Sequence, residues 1–187
     1  AATAKQSQRA LVLFGTALDR ASASGRGDLV PQIRASRGRL LFTLGRREEA
    51  LRDMESARAR FERANDPASL ARVLNDLAID PLANGRLAEG EVLLEQALAA
   101  SRAAGRSSAG VISMNLAMIS LLRGFPDRAE LRFRESIETY RRSKSRRLGA
   151  AVLNLALTLR DLGRREETLS VLAEAFALLP STGDEGY

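Results

Sequence analysis

The sequence predicts an all-α solenoid of antiparallel helix pairs. Three observations carry that reading: a composition dominated by strong helix formers, a self-similarity with a period of about 40 residues, and two amphipathic stretches in every period. Hydrophobic residues make up 45% of the 187, which excludes a disordered polar chain and allows a continuous core. Aromatic residues are only 4% and Trp is absent, while Ala and Leu dominate. That bias favours helices over strands.

The chain contains neither Cys nor His. Thiolate nucleophiles, disulfides, the usual zinc ligands and histidine general bases are therefore excluded. Catalysis is not expected, and no cofactor is implied. No run approaches the ~18–20 apolar residues that span a bilayer, and no signal-peptide pattern opens the sequence. The expected location is the cytoplasm, with no membrane partner. Net charge is +6, and Lys5 and Lys144 are the only lysines among 29 basic residues. A basic chain raises the prospect of nucleic acid or another polyanion as a partner.

The heptapeptide at 44–50, LGRREEA, returns at 162–168 as LGRREET. The repeat explains the coincidence. Gly45, Gly85, Gly124 and Gly163 stand 40, 39 and 39 residues apart. Small residues precede them in register at Gly38, Ala78, Ala117 and Ala156 and follow them at Ala50, Gly90, Ala129 and Thr168. Large apolar residues come next (Met54, Leu94, Phe133, Leu172), then Ala57, Ala97, Ser136 and Ala175. Ala10, Phe14 and Ala17 extend the pattern one period earlier.

Taken in order, residues 4–23 form a leading helix that aligns with the second helix of a unit. The first helix of each full unit, helix A, falls at about 31–44, 67–83, 107–122 and 146–162. Helix B falls at about 47–64, 87–104, 126–142 and 165–179. Facing small residues let two helix backbones approach, and the large apolar neighbours fill the space around them. The expected organisation is a single repeat domain over 1–187: a partial unit at 1–30, full units at 31–66, 67–106, 107–145 and 146–180, and a tail at 181–187. Each glycine sits where helix A must stop, in a left-handed conformation that costs glycine little. The acids just after it (Glu48, Glu49, Glu89, Asp127, Glu166, Glu167) occupy the first turn of helix B and complement its dipole. LGRREEA therefore reads as a stop, a turn and a start, not as a catalytic carboxylate pair. Pro81, following Asp80 inside a helix A, should kink or end that helix near Asp80.

Small residues before each glycine, after it and again seven residues on, with a large apolar residue between, resemble the tetratricopeptide repeat. Phe14 and Phe133 match that family's aromatic position, and Asn115–Ala117 and Asn154–Ala156 look like its first helix. The likeness covers nearly the whole chain. It departs from the family's ~34-residue form in its longer period and in lacking a closing proline before Pro180. Long units of this kind resemble those of kinesin light chains and of bacterial regulators that carry helical repeats beside an ATPase, kinase or DNA-binding domain. The resemblance implies a right-handed superhelix whose concave face, lined by A helices, holds a peptide or protein partner.

Mapped onto the A helices, that face comprises Arg39; Asn75, Asp76 and Ile79; Asn115 and Met118; and Asn154, Leu157 and Arg160. Asparagine donates and accepts at once and can bracket a peptide backbone, although the same side chains can equally bond neighbouring backbone or water. The family's two-carboxylate clamp is disfavoured, because only Asn115 matches its residues. A second candidate is the set of turns from helix B to the next helix A, which carry Arg20, Arg26, Arg60, Arg63, Arg102 and Arg106. The densest is Arg141, Arg142, Lys144, Arg146 and Arg147, with no acid from Tyr140 to Leu148. Such an edge either complements helix C-termini or binds an anion or nucleic acid. Arg26–Gly27–Asp28 reads as a polar turn, not as an adhesion motif. Unmatched helices at both ends point to a longer array or to end-to-end self-association. The Arg-rich, Lys-poor composition is associated with GC-rich bacterial genomes.

Overall fold

The computed structural model describes residues 2–105 and 108–178, with side chains from Lys5 onward. The expectations for Arg106, the helix start at Ser107, Leu179, Pro180 and the tail 181–187 lie outside the described residues. Every described element is a helix: α1 (Ala2–Ala23), α2 (Val30–Thr43), α3 (Arg47–Arg63), α4 (Pro67–Leu77), α5 (Ile79–Ala83), α6 (Leu87–Ala103), α7 (Ala109–Leu122), α8 (Pro126–Arg142), α9 (Leu148–Asp161) and α10 (Arg165–Leu178). The A helices are α2, α4 with α5, α7 and α9; each packs most densely on the B helix that follows it. Contacts cluster into two units, Ala1–Ala104 and Gly105–Tyr187.

Helix ends follow from local chemistry. Gly45, Gly85, Gly124 and Gly163 all have φ between 71° and 77°. After α2, the Gly45 N–H donates to the Phe42 carbonyl and the Arg46 N–H to that of Leu41, at 3.0 and 2.9 Å. The same pair of bonds closes α7 through Gly124 and Phe125, and α9 through Gly163 and Arg164. These are Schellman stops, which satisfy carbonyls that the helix end would leave bare. At the start of α4, Asp66 accepts from the Ser69 N–H at 3.0 Å and Pro67 occupies the first turn.

In the first unit, Met54, Ala57 and Phe61 of α3 form a buried cluster with Val73 and Leu77 of α4. In the second, Phe133, Ile137 and Tyr140 of α8 pack with Ala151, Val152, Leu155 and Leu159 of α9. The register residues Ala50, Met54, Ala57, Leu94, Ala97, Ala117, Ala129, Phe133 and Ala156 are all fully buried. Burial of one such large side chain stabilises by about 1.5–3 kcal/mol.

The helix containing Pro81 breaks, as the proline requires, but at Ala78 and not at Asp80. The ring of Pro81 has no N–H and excludes the carbonyl of the preceding turn. The chain answers by starting the short helix α5 with Pro81 inside its first turn. At the far end, Phe176 of α10 is 69% exposed, whereas Ile137, in the same register of α8, is 4% exposed beneath α9. Among the described residues no helix follows α10 to cover it.

Candidate functional site

Six residues before each turn glycine, the A helices carry Arg39, Ile79, Met118 and Leu157. All four are exposed; the three apolar ones expose 45%, 43% and 40% of their surface. Their neighbours in the preceding register are small or polar and half-buried: Ser36, Asp76, Asn115 and Asn154. Each A helix thus keeps one face out of the core while its opposite face is fully packed.

In the first unit that face is polar apart from Ile79. Arg39 of α2 and Asp76 of α4 approach to 3.3 Å, Nε to Oδ2. They border a cavity of about 100 Å³ whose polar walls are Gln32, Ser36, Arg39, Ser69, Arg72 and Asp76. Burial pushes the Asp76 carboxyl above its ordinary range; Arg39, a bond from Asn75 and Arg72 oppose the shift only in part. Gln32, Ser36 and Arg72 were not among the residues expected from sequence. Their signal was available, since Ser36 and Arg72 lie one helical turn, and Gln32 two turns, from Arg39 or Asp76 on the same helix face.

In the second unit the corresponding face is apolar. Met118 and Leu122 project from α7, and Leu153 and Leu157 from α9, each pair four residues apart and exposed. Asn154 lies half-buried beside them, as does Asn115, which already has a polar partner. Arg160 is turned to its neighbour Asp161, with Nη2–Oδ1 at 2.8 Å. Leu122 and Leu153 were missed by sequence reading, because apolar residues on these helices look like core until their exposure is known.

The turns at the opposite end of the A helices from the basic edge hold a repeated device that the sequence reading treated as helix-dipole chemistry alone. Arg46 donates through Nε and Nη2 to the two carboxylate oxygens of Glu49, both at 2.7 Å. Arg164 does the same to Glu167 at 2.7 and 2.6 Å, and Arg86 bonds Glu89 at 2.7 Å. These guanidinium groups hold Glu49 and Glu167 below the usual carboxylate range. In the turn after α7, Phe125 replaces the arginine and sits between Arg123 and Arg128, 5.4 and 5.8 Å from its ring centroid.

The basic edge is partly neutralised. Arg26 pairs with Asp28 at 3.2 Å, which also accounts for the polar tripeptide there. Arg63 donates to the Ala59 carbonyl at 3.0 Å, serving its helix end. Arg102 has a polar partner, and Arg20 and Arg60 remain exposed. Arg141 pairs with Glu174 of α10 at 2.5 Å, while among the described residues Arg142, Lys144 and Arg146 form no ion pair and Arg147 approaches Tyr140.

Stacked helix pairs, each keeping one A-helix face exposed, define a helical-repeat fold. Residues 32–69 match the tetratricopeptide repeat family model, and the chain has the tetratricopeptide-repeat fold. BtubC (BKLC) from P. vanneervenii superposes with a TM-score of 0.80 at 20% identity, over 97% of this chain and 76% of that one. A kinesin-light-chain-like protein from Podosopora anserina with nearly identical repeats gives 0.71 at 21% identity, over 98% and 92%. The Rap conjugation gene regulator of plasmid pLS20, solved in complex with the Phr* peptide, gives 0.71 at 16% identity. This chain spans 49% of that regulator's length, and 94% of it is matched. No curated protein matches the chain by sequence. No described helix is long and apolar enough to cross a membrane.

Proposed function

We propose that this chain is a protein- or peptide-binding scaffold, serving as the sensing or docking module of a larger bacterial regulatory or signalling protein in the cytoplasm. The observation that carries the reading is the register just described. Four A helices keep the same position exposed, and three of them place a large apolar side chain there. Solvent-exposed Ile, Met and Leu in matching positions are what a partner's side chains bury against. The peptide complex of the Rap regulator supports the reading by analogy of fold.

On this reading Met118, Leu157 and Asn154 contact an apolar stretch of the partner together with Asn115, while Arg39, Asn75, Asp76 and Ile79 contact a more polar one; Arg160 borders the first. Selection of a random displayed peptide library on the purified chain tests the proposal. Amide shifts produced by an enriched peptide should map to α2, α4, α7 or α9. Shifts confined to α6, α8 and α10 would refute it.

A further inference from the structure

We propose that the turn between α8 and α9 binds a phosphate monoester, carried as a phosphorylated side chain on a partner protein. The turn holds Arg142, Lys144, Arg146 and Arg147, all exposed. Among the described residues none of the first three forms an ion pair, and Arg147 is engaged only with Tyr140. The Tyr140 hydroxyl beside it is buried and lacks a well-formed hydrogen bond. Arg141 and Arg142 lie in the last turn of α8 and complement its C-terminus, which leaves Lys144, Arg146 and Arg147 beyond what capping requires.

Comparison with the equivalent turns isolates what is unusual. Each turn from a B helix to the next A helix has one residue in the left-handed region. It is Gly25 (φ 70°), Asn65 (φ 49°), Gly105 (φ 60°) and here Lys144 (φ 49°). Glycine and asparagine adopt that conformation readily; lysine does so at a cost. The next residue varies, from Arg26 in the first turn to Asp66 in the α3–α4 turn and Ser145 here. What sets this turn apart is a cation at the left-handed position. That exchange moves the site toward binding an anion, and strain retained at such a position points to function.

Spacing selects the kind of anion. Four cations fall within six residues at one turn, and so compact a cluster suits a single dianionic group with three terminal oxygens. A nucleic-acid backbone spreads single charges along a line and is met by cations in a row, with aromatic platforms where it is single-stranded. The one aromatic side chain at this turn, Tyr140, is buried. The inference rests on the scaffold reading only for the carrier of the phosphate, and the probe below does not use the A-helix faces.

The test is a titration of the whole chain at physiological salt with an alanine pentapeptide bearing a central phosphoserine, followed by amide NMR and calorimetry. The unphosphorylated peptide and a short DNA duplex are the comparators. The phosphopeptide is expected to bind saturably, to shift the amides of Ser145 and Gly149, and to bind about tenfold more tightly than its unphosphorylated form. Arg142→Gln with Arg146→Gln should weaken it about tenfold. Lys144→Gly should raise the melting temperature while weakening binding several-fold, which separates a functional lysine from a merely tolerated one. Equal binding of the two peptides, or an unchanged affinity in Lys144→Gly, overturns the proposal. So does a duplex that binds more tightly than the phosphopeptide through the same arginines.

Discussion

Arg47 and Asp80, 33 residues apart, close an ion pair that ties the α2–α3 turn to the broken helix of the following repeat. Asp80 is only 6% exposed, and Arg86 donates to its Oδ2 at 2.7 Å, the oxygen that Arg47 Nη2 also reaches. The Asn84 amide donates to the Asp80 carbonyl at 2.7 Å. Three side chains thus fasten a five-residue helix too short to be stable alone.

Arg47 holds the Asp80 carboxyl below its ordinary range, with Arg86 adding to the effect. A depressed folded pKa stabilises the native state above the unfolded value, about 3.9, and that contribution disappears as pH falls through the folded value. Arg47→Leu with Arg86→Leu strands a buried carboxylate and should cost about 3 kcal/mol at neutral pH. The loss should shrink on acidification below about pH 4, where Asp80 takes up a proton. Urea unfolding at neutral and acid pH reads both effects.

Asp76 carries the opposite sign. Burial raises its carboxyl against a partial offset from Arg39, so its contribution is most favourable at low pH and is lost as pH rises through the folded value. Asp76→Asn should therefore be as stable as the parent or more stable at pH 7, with the difference vanishing in acid. A peptide seated against α2 and α4 should bind the variant more weakly. Thermal melts across pH, paired with binding, check the two expectations together.

Pro81→Ala should change stability by less than about 1 kcal/mol. A proline in the interior of a helix costs about 3 kcal/mol. Here Pro81 lies in the first turn of α5, where the missing N–H would have had no intrahelical acceptor. A gain near the interior value in denaturant unfolding would show that the break at Ala78 stores strain.

Gly38→Ala should destabilise even though three other repeats carry alanine at that register. A Cβ at Gly38 would stand 2.8 Å from Met54 Cγ and 3.1 Å from the Ala50 carbonyl oxygen. Met54→Ala, which removes the Cγ and Cε that the new Cβ would meet, should cost less in the Gly38→Ala background than in the parent. Melting of the two single variants and the double variant measures the coupling.

The periodic part of the molecule was readable in the sequence because turn glycines and small residues recur in register, and those residues decide where helices stop and how closely they pack. The polar clamps lie where the register fails. Asp80 stands where other units have Leu40, Ile119 and Thr158, and Arg47 where two others have Leu87 and Pro126. Arg37 replaces Leu77, Leu116 and Leu155, and it bonds Asp53 at 2.6 and 2.8 Å. A single departure looks like noise; only the fold pairs two of them. The candidate face could be placed on the sequence only through the resemblance to the tetratricopeptide repeat. Its division into a polar part near Arg39 and Asp76 and an apolar part near Met118 and Leu157 was not legible. Whether an apolar residue on these helices faces core or solvent depends on neighbours one repeat away.

The most direct test of the scaffold reading is calorimetric binding of a library-selected peptide to variants of the exposed A-helix register. Met118→Glu with Leu157→Glu should weaken it about tenfold or more. Leu131→Glu on α8, at a residue 67% exposed, should leave it within about twofold. Loss of binding in Leu131→Glu with full binding in the Met118/Leu157 variant would contradict the account.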